Sequence, residues 1–534
     1  MKLSPWRRAL LAMSSLLIAL GLPAPAMAVY APNYVPINGA GSTWAANAIN
    51  QWISAVHQNS IRVDYSAGGS SDGRQRFLQK TVDFAASDIP FQQRPTDGSS
   101  PENPAPGSYA YMPIVAGGTS FMYNLKIAGR QVTNLRLSGE VLAKIFTGGI
   151  TRWDDAAIKA DNPGLTMPAV KVVPVIRSDG SGSSAQFSLW MQAAYPQIWS
   201  SFCSSRGCGN GAASFWPSFS GAISKSGDLG VASHVAQTYS EGAIGYVQYS
   251  YAKNASFPVV KMLNAAGYYV EPTPLNVAVA LQKAEIESNP DPAVYLTQNL
   301  RNVYTYTDPR VYPMSSYSYF ILPTVVSGNF SEAKGATLAA FSTYFECEGQ
   351  QQAPDLGYSP LPRNLVEASF KQIEKIPGAP KGGRPPLESC NNPTFTADGH
   401  NRLADIAPQP QACDKKGPAQ CTKGTGGKQN QDTPVNQAAA AANNSGAGTG
   451  TANPSGGASA GPAPSLSYDP LTDQYVGAGN GRGGGDPNVA AVPIAMPSGT
   501  GWSGSQTLML IAGLITLALV LGPGIVSWML RRRQ

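Results

Sequence analysis

Three stretches of the chain repeat one pattern of apolar and polar positions. In "VPINGAGSTWAANAINQWISAV" (35–56) an extended opening passes through Gly39-Ala40-Gly41 to Ser42 and Thr43. Trp44, Ala48, Ile49, Trp52, Ile53 and Val56 then recur at helical spacing. In "IRVDYSAGGSSDGRQRFLQ" (61–79) Ile61, Val63 and Tyr65 alternate as in a strand, and Gly68 to Gly73 form a small-residue loop before a helix. In "KVVPVIRSDGSGSSAQFSLWMQAA" (171–194) Val172 to Ile176 read as a strand, and Phe187, Trp190 and Met191 mark the apolar face of the helix that follows. A further stretch, "TVDFAASDIPF" (81–91), is strand-like from Val82 to Ala86 and turns at Ser87-Asp88. Strand, small-residue loop and helix, three times over, predict an α/β fold.

Outside residues 29–375 the pattern changes. Met1 to Ala28 carries Lys2, Arg7 and Arg8, an apolar run from Ala9 to Leu22, and Ala26-Met27-Ala28, which together predict a cleaved signal peptide. No cysteine follows that site to take a lipid. Residues 376–423 are Pro-rich and hold three cysteines, which predicts a stapled extension wrapping the head. Residues 424–504 are Gly, Ala, Asn, Pro, Ser and Thr with few aromatics, a composition that predicts a disordered tether reaching roughly 50 Å. Thr507 to Leu530 is uncharged for 24 residues and is followed by three arginines. That run predicts one transmembrane helix with residues 531–534 in the cytoplasm and the head outside.

Charge and cysteines narrow the functional classes. Of the formal net charge of +6, three positive charges lie in the leader and three in the C-terminal tail, so the exported part is formally neutral. A basic nucleic-acid surface is not supported. All six cysteines, Cys203, Cys208, Cys347, Cys390, Cys413 and Cys421, lie in the exported part and predict three disulfides. Six cysteines allow 15 pairings; proximity along the chain alone favours 203–208, 347–390 and 413–421. Their spacings match no zinc finger, and no metal or other cofactor is implied.

The three loops carry the candidate chemistry. A helix start presents unpaired N–H groups and a partial positive charge, and small residues let an anion approach it. One such loop is an ordinary helix cap; three, the last preceded by Arg177, point to a shared anion. Arg177 offers a planar fork of donors that fits a tetrahedral oxyanion. Asp179 either holds Arg177 or accepts loop N–H groups. Asp88 would accept a hydrogen bond from monohydrogen phosphate and repel sulfate, which has no proton to give. Enzyme chemistry is not expected: His57, His234 and His400 sit in no nucleophile elbow, and Arg74-Gln75 replace the Lys and Ser/Thr of a P-loop.

Taken together, "GAGSTW", "GGSSDG", "VDFAASDIP" and "RSDGSGSS", with "EGAIGYVQYSYA" (241–252) and "YPMSSYSYFIL" (312–322), resemble the phosphate-binding proteins of ABC importers over residues 33–370. The resemblance implies a type II periplasmic-binding-protein fold of two lobes with hinge crossovers, lobe I at about 30–115 and 313–375 and lobe II between. It implies a monomeric head that binds inorganic phosphate and partners with permease and ATPase subunits. Carried over by motif, Thr43 and Trp44 act through the first helix start, Ser70 through its hydroxyl and backbone, and Asp88 as proton acceptor. Arg177, Ser181, Gly182 and Ser183 clamp from the other lobe. Trp44 stands where phenylalanine is common, and Asp72 where a glycine is usual; Asp72 either weakens the site or faces solvent. The alternatives are another oxyanion, or a sensor or adhesin using the same head.

Overall fold

A computed structural model of the chain describes residues 34–382, 384–436, 466–469 and 474–477. The expected leader and the apolar run at 507–530 lie outside the described residues. Among the described residues no helix is long and apolar enough to cross a membrane.

The head is built on one eight-stranded sheet. Its strands, in chain order, are β1 (Ile37–Gly41), β2 (Val63–Ser66), β3 (Phe84–Ser87), β4 (Tyr109–Tyr123), β5 (Val173–Arg177), β6 (Ile223–Lys225), β7 (Ala243–Gln248) and β8 (Ser315–Pro323). Across the sheet they run β2-β1-β3-β8-β4-β7-β5-β6. At each end the strands are parallel and joined through helices, as the repeated strand-loop-helix pattern predicts. In the middle β8 and β7 run antiparallel to β4.

β4 holds the two halves in one sheet. Its 15 residues are buried throughout. Tyr109 to Gly118 pair with β8, and Thr119 to Tyr123 pair with β7. Two large cores lie on either side of this division. The first gathers Trp44, Ile49, Trp52, Phe84, Phe320, Phe341 and Phe345; the second gathers Phe121, Phe146, Trp153, Phe187, Trp199 and Trp216. The chain crosses back between Val270, in the second core, and Val277, in the first. Tyr312 and Met314 return to the second core before β8 rejoins the first. The lobe boundary expected at 312 is therefore corrected. Val277, Val279, Leu281, Leu300 and Val303 are all buried in the first core, because Pro274–Leu281 is apolar on nearly every face and needs a large core to enclose it.

The extension wraps the head as its cysteines suggest. Leu387, Cys390, Leu403, Ala404 and Ala407 enter the first core, and Cys347–Cys390 ties them to helix Glu332–Cys347. The chain then passes to the other lobe. There Arg136, 2% exposed, donates to the carbonyls of Cys413, Gly417 and Ala419 at 3.0, 2.9 and 2.7 Å. Its guanidinium lies over the Tyr269 ring, 4.6 Å from the centroid. The two remaining disulfides pair Cys203 with Cys208 and Cys413 with Cys421, so the proximity pairing is the one present.

Ordered chain continues past 424, where the tether was expected to begin. Thr425 is fully buried and its hydroxyl bridges Val259 and Thr133, while Thr433 bonds Thr133. These polar residues need no core of their own because lobe II supplies the partners. Within the same expected tether, Leu466–Asp469 pairs antiparallel with Gln474–Gly477 in the separate unit that begins at Pro454. The two segments hold strand formers such as Leu466, Tyr468, Tyr475 and Val476, which the overall composition of the stretch conceals.

The disulfides close loops of very different length, 43 residues apart for Cys347–Cys390 and 5 for Cys203–Cys208. Loop-closure entropy then predicts a loss of about 4 kcal/mol for the double substitution Cys347→Ser/Cys390→Ser and about 2 kcal/mol for Cys203→Ser/Cys208→Ser. Urea unfolding of both variants checks the ranking; equal losses would contradict it.

Candidate functional site

The site is assembled where β1, β2 and β5 each end in a small-residue turn and β3 ends just before Asp88. After β1 the chain turns at Ser42, whose N–H donates to Ala86 O at 2.9 Å. It then enters α1 (Ala46–His57), with Ser42 Oγ accepting the Ala45 N–H at 3.2 Å. After β2 the loop is shorter than its Gly68–Gly73 composition suggested. Gly69, at φ +103°, turns the chain directly into α2 (Ser70–Leu78), so Ser70 is the first helical residue. After β5, Ser181 caps α3 (Gly182–Ala194), its Oγ accepting the Ser184 N–H at 3.2 Å. Asp228 lies in the first turn of α4 (Gly227–Val235).

Two carboxylates organise what these turns present. Asp88, 3% exposed, accepts from Ser42 Oγ at 2.8 and 3.0 Å, Ser70 Oγ at 3.1 Å and Ser318 Oγ at 2.8 Å. Burial pushes its carboxyl up to about 6, against the pull of those hydroxyls. Gly182 of the opposite lobe faces it so closely that a Cβ there would lie 2.3 Å from Asp88 Oδ2 and 2.6 Å from Ser70 Oγ. Asp228, fully buried, accepts from Arg177 at 2.5 Å, Thr43 Oγ1 at 2.6 Å and the Gln248 N–H at 2.7 Å.

Arg177 is 2% exposed and held on two sides. Asp179 takes its Nε and one terminal nitrogen, Asp228 takes the other terminal nitrogen, and Thr43 Oγ1 accepts at 2.8 Å. Burial alone would lower the guanidinium's affinity for its proton; Asp228 and Asp179 outweigh that and raise it. Burial would likewise raise Asp179, but the Arg177 charge and hydrogen bonds hold it below the usual carboxylate range. Asp179 also accepts the Gly227 N–H at 2.9 Å, so it both holds Arg177 and orders a turn.

The structure thus links Thr43, Ser70, Asp88, Arg177 and Gly182 into one buried network spanning the two lobes, with Ser181 and Ser183 flanking Gly182. Ser183 Oγ is buried with no hydrogen-bond partner among the described residues. Trp44 is buried beside Thr43, with its indole N–H donating to Thr119 Oγ1 at 3.1 Å. Asp72 faces outward and pairs with Arg76 at 3.7 Å. Arg74, the residue that rules out a P-loop, is buried against Glu102 at 2.7 Å.

Sequence reasoning missed Ser42, Asp228 and Ser318, and three tyrosines. Tyr65 donates to the carbonyl of Ser42 at 2.9 Å, Tyr251 to that of Thr43 at 2.6 Å, and Tyr358 to that of Trp44 at 2.6 Å. Burial raises all three phenols, so they stay protonated donors at neutral pH. In a planar trans peptide the N–H points opposite to the C=O. Anchoring these carbonyls therefore aims the N–H groups of Thr43, Trp44 and Ala45 away from the tyrosines. Of the three, only Tyr251 lies in a motif that carries the family resemblance, "EGAIGYVQYSYA", and the carbonyls they reach lie 23 to 314 residues away.

A family model described as a PBP superfamily domain matches residues 28–348. The chain is 33% identical over 341 residues to the phosphate-binding protein PstS of Xylella fastidiosa strain Temecula1, covering 64% of this chain and 84% of that one. It is 31% identical over 337 residues to the PstS of Haemophilus influenzae, covering 63% and 92%. It is 30% identical over 342 residues to PstS 2 of Mycobacterium tuberculosis, covering 62% and 84%. A solved phosphate-binding protein from Stenotrophomonas maltophilia aligns at 19% identity with a TM-score of 0.46, over 69% of this chain and 99% of that one.

The raised Asp88 carboxyl has a sign that can be tested. The folded protein holds this proton more tightly than the unfolded chain, so the stabilisation is full below pH 3.8 and is lost as pH rises through about 6. In ligand-free protein, the stability of the wild type relative to Asp88→Asn should fall by about 2 kcal/mol between pH 4 and 7. Denaturant unfolding across that range checks it; a flat difference would contradict the burial argument.

Proposed function

The chain belongs to the PBP superfamily and, within it, to the phosphate-binding proteins of the PstS type, and on that premise we propose that its head captures inorganic phosphate for delivery to an ABC-type importer. One observation carries the reading. A buried carboxylate, oriented by three serine hydroxyls, faces the Ser181-Gly182-Ser183 helix start, where Ser183 holds a hydroxyl with no partner among the described residues. Donors for an oxyanion and an acceptor for its proton thus lie face to face. Site residues on this reading are Thr43, Trp44, Ser70, Asp88, Arg177, Ser181, Gly182 and Ser183.

The roles follow from the partners. The N–H groups of Thr43 and Trp44, fixed by the tyrosines, and those opening α2 and α3 supply donors. Ser183 adds a hydroxyl. Arg177 brings charge, but two carboxylates already compensate it, so neutral dipoles do most of the anion binding. Asp88 selects for a ligand that carries a proton. The role read here is binding, in keeping with relatives whose printed name is phosphate-binding protein.

The anchoring is read from sequence. On this reading a leader at 1–28, a tether ending near 504 and a span at 507–530 put a monomeric head outside the cell on a single C-terminal helix, where it meets the permease that the ATPase subunits drive from the cytoplasmic side. Thr433 and Asn436, whose N–H donates to Gly164 O, still pack on the head, so the tether expected from 424 starts later than that.

Calorimetry on the purified head with phosphate and with sulfate tests the reading. The wild type should bind phosphate and reject sulfate, and Asp88→Asn should narrow the gap. Arg177→Ala should weaken phosphate at least about 100-fold, since it strands Asp179 and Asp228 as unpaired buried charges. Equal affinity of the wild type for both anions, or no phosphate binding, would overturn it.

A further inference from the structure

Thr43 belongs to lobe I, yet lobe II grips it at both ends. Its hydroxyl donates to Asp228 at 2.6 Å and accepts from Arg177 at 2.8 Å and from the Asp228 N–H at 3.2 Å. Its carbonyl accepts from Tyr251 at 2.6 Å. Asp228, Arg177 and Tyr251 are all buried, and Tyr251 packs in a lobe II cluster with Val231, Val247 and Tyr249. Asp228 is fixed from behind by the Gln248 N–H at 2.7 Å. One lobe I residue therefore makes four hydrogen bonds to a buried pocket of the other lobe, donating one and accepting three.

We propose that Thr43 is a closure latch, and that Asp228 and Tyr251 are positioning residues that couple closure of the lobes to preparation of the site. This deepens the phosphate-binding reading and rests on it. When the lobes part, Tyr251 and Asp228 leave Thr43 together. The peptide between Thr43 and Trp44 then loses the hydrogen bond that aims the Trp44 N–H, and Arg177 loses its contact with lobe I. Closure thus completes the donor set, and opening dismantles it. Because the Thr43 hydroxyl is committed to Asp228, the ligand meets this residue through backbone N–H groups. The latch sets how long a ligand stays and has little effect on how fast it arrives.

The experiment compares the wild type with Tyr251→Phe, Thr43→Val and Thr43→Ser. Stopped-flow kinetics with inorganic phosphate give the first readout. Tyr251→Phe and Thr43→Val should each raise the dissociation rate about tenfold, with association within about twofold, and Thr43→Ser should restore it. Spin labels at Asn50→Cys in α1 and Ala160→Cys in lobe II give the second, in phosphate-free protein. There the two latch variants should shift the inter-lobe distance toward a longer population, which loss of a direct hydroxyl–phosphate contact would not do. Unchanged dissociation rates with unchanged distances would overturn the latch. Should the wild type bind no phosphate, the functional reading fails and the distance measurement alone decides the latch.

Discussion

A guanidinium cannot be buried to 2% exposure without counter-charge, and the burial of Arg177 shapes the site around it. Asp179 comes from its own turn, but Asp228 comes from α4, fifty-one residues on, and is itself buried. With two carboxylates on one guanidinium and Asp88 nearby in the network, the fixed side-chain charge is net negative. Coulomb attraction from side chains therefore cannot be what draws an anion in. What remains is the directed dipole of backbone N–H groups, which only works if the groups are held still.

That requirement accounts for the remaining oddities. Tyrosines are wide and rigid, and three of them hold the carbonyls of Ser42, Thr43 and Trp44 in place while their hydroxyls are satisfied. Glycine does the opposite job at two points. Gly69 adopts φ +103°, where a Cβ would also lie 2.6 Å from Asp179 Oδ2, and Gly182 leaves room for Asp88. Bulk fixes the donors from behind, and absence of bulk lets the lobes meet in front.

How much of this the sequence discloses depends on distance along the chain. Thr43, Ser70, Arg177 and Ser181 to Ser183 follow strands and open helices, so local periodicity and small-residue loops expose them. Asp88 stood out as a carboxylate in an anion site. Asp228, Ser318, Tyr251 and Tyr358 have no such local mark, since each matters only through a partner from a distant segment. The same logic explains the lobe boundary. Pro274–Leu281 reads as an apolar helix in either lobe, and only the packed structure shows which core encloses it. Composition misled after 424 for a related reason. Thr425 and Thr433 carry little apolar surface, but their hydroxyls and the Thr425 N–H satisfy lobe II groups such as Thr133 that would otherwise be buried unpaired.

The extension bears on the moving parts as well as on stability. Its first segment is covalently tied to the first core through Cys347–Cys390, while its second is hydrogen-bonded across lobe II through Arg136, Lys261 and Glu271. Between these anchorages Arg310 holds the carbonyls of Ala404 and Ala407, and Lys416 N–H donates to Gly267 O, both beside the crossovers that join the lobes. A strap fixed on both sides of a hinge must either flex with it or resist it. The covalent end cannot yield, so any adjustment falls on the hydrogen-bonded contacts along lobe II. The segment that connects the head onward thus leaves from the same surface that has to accommodate the opening of the cleft.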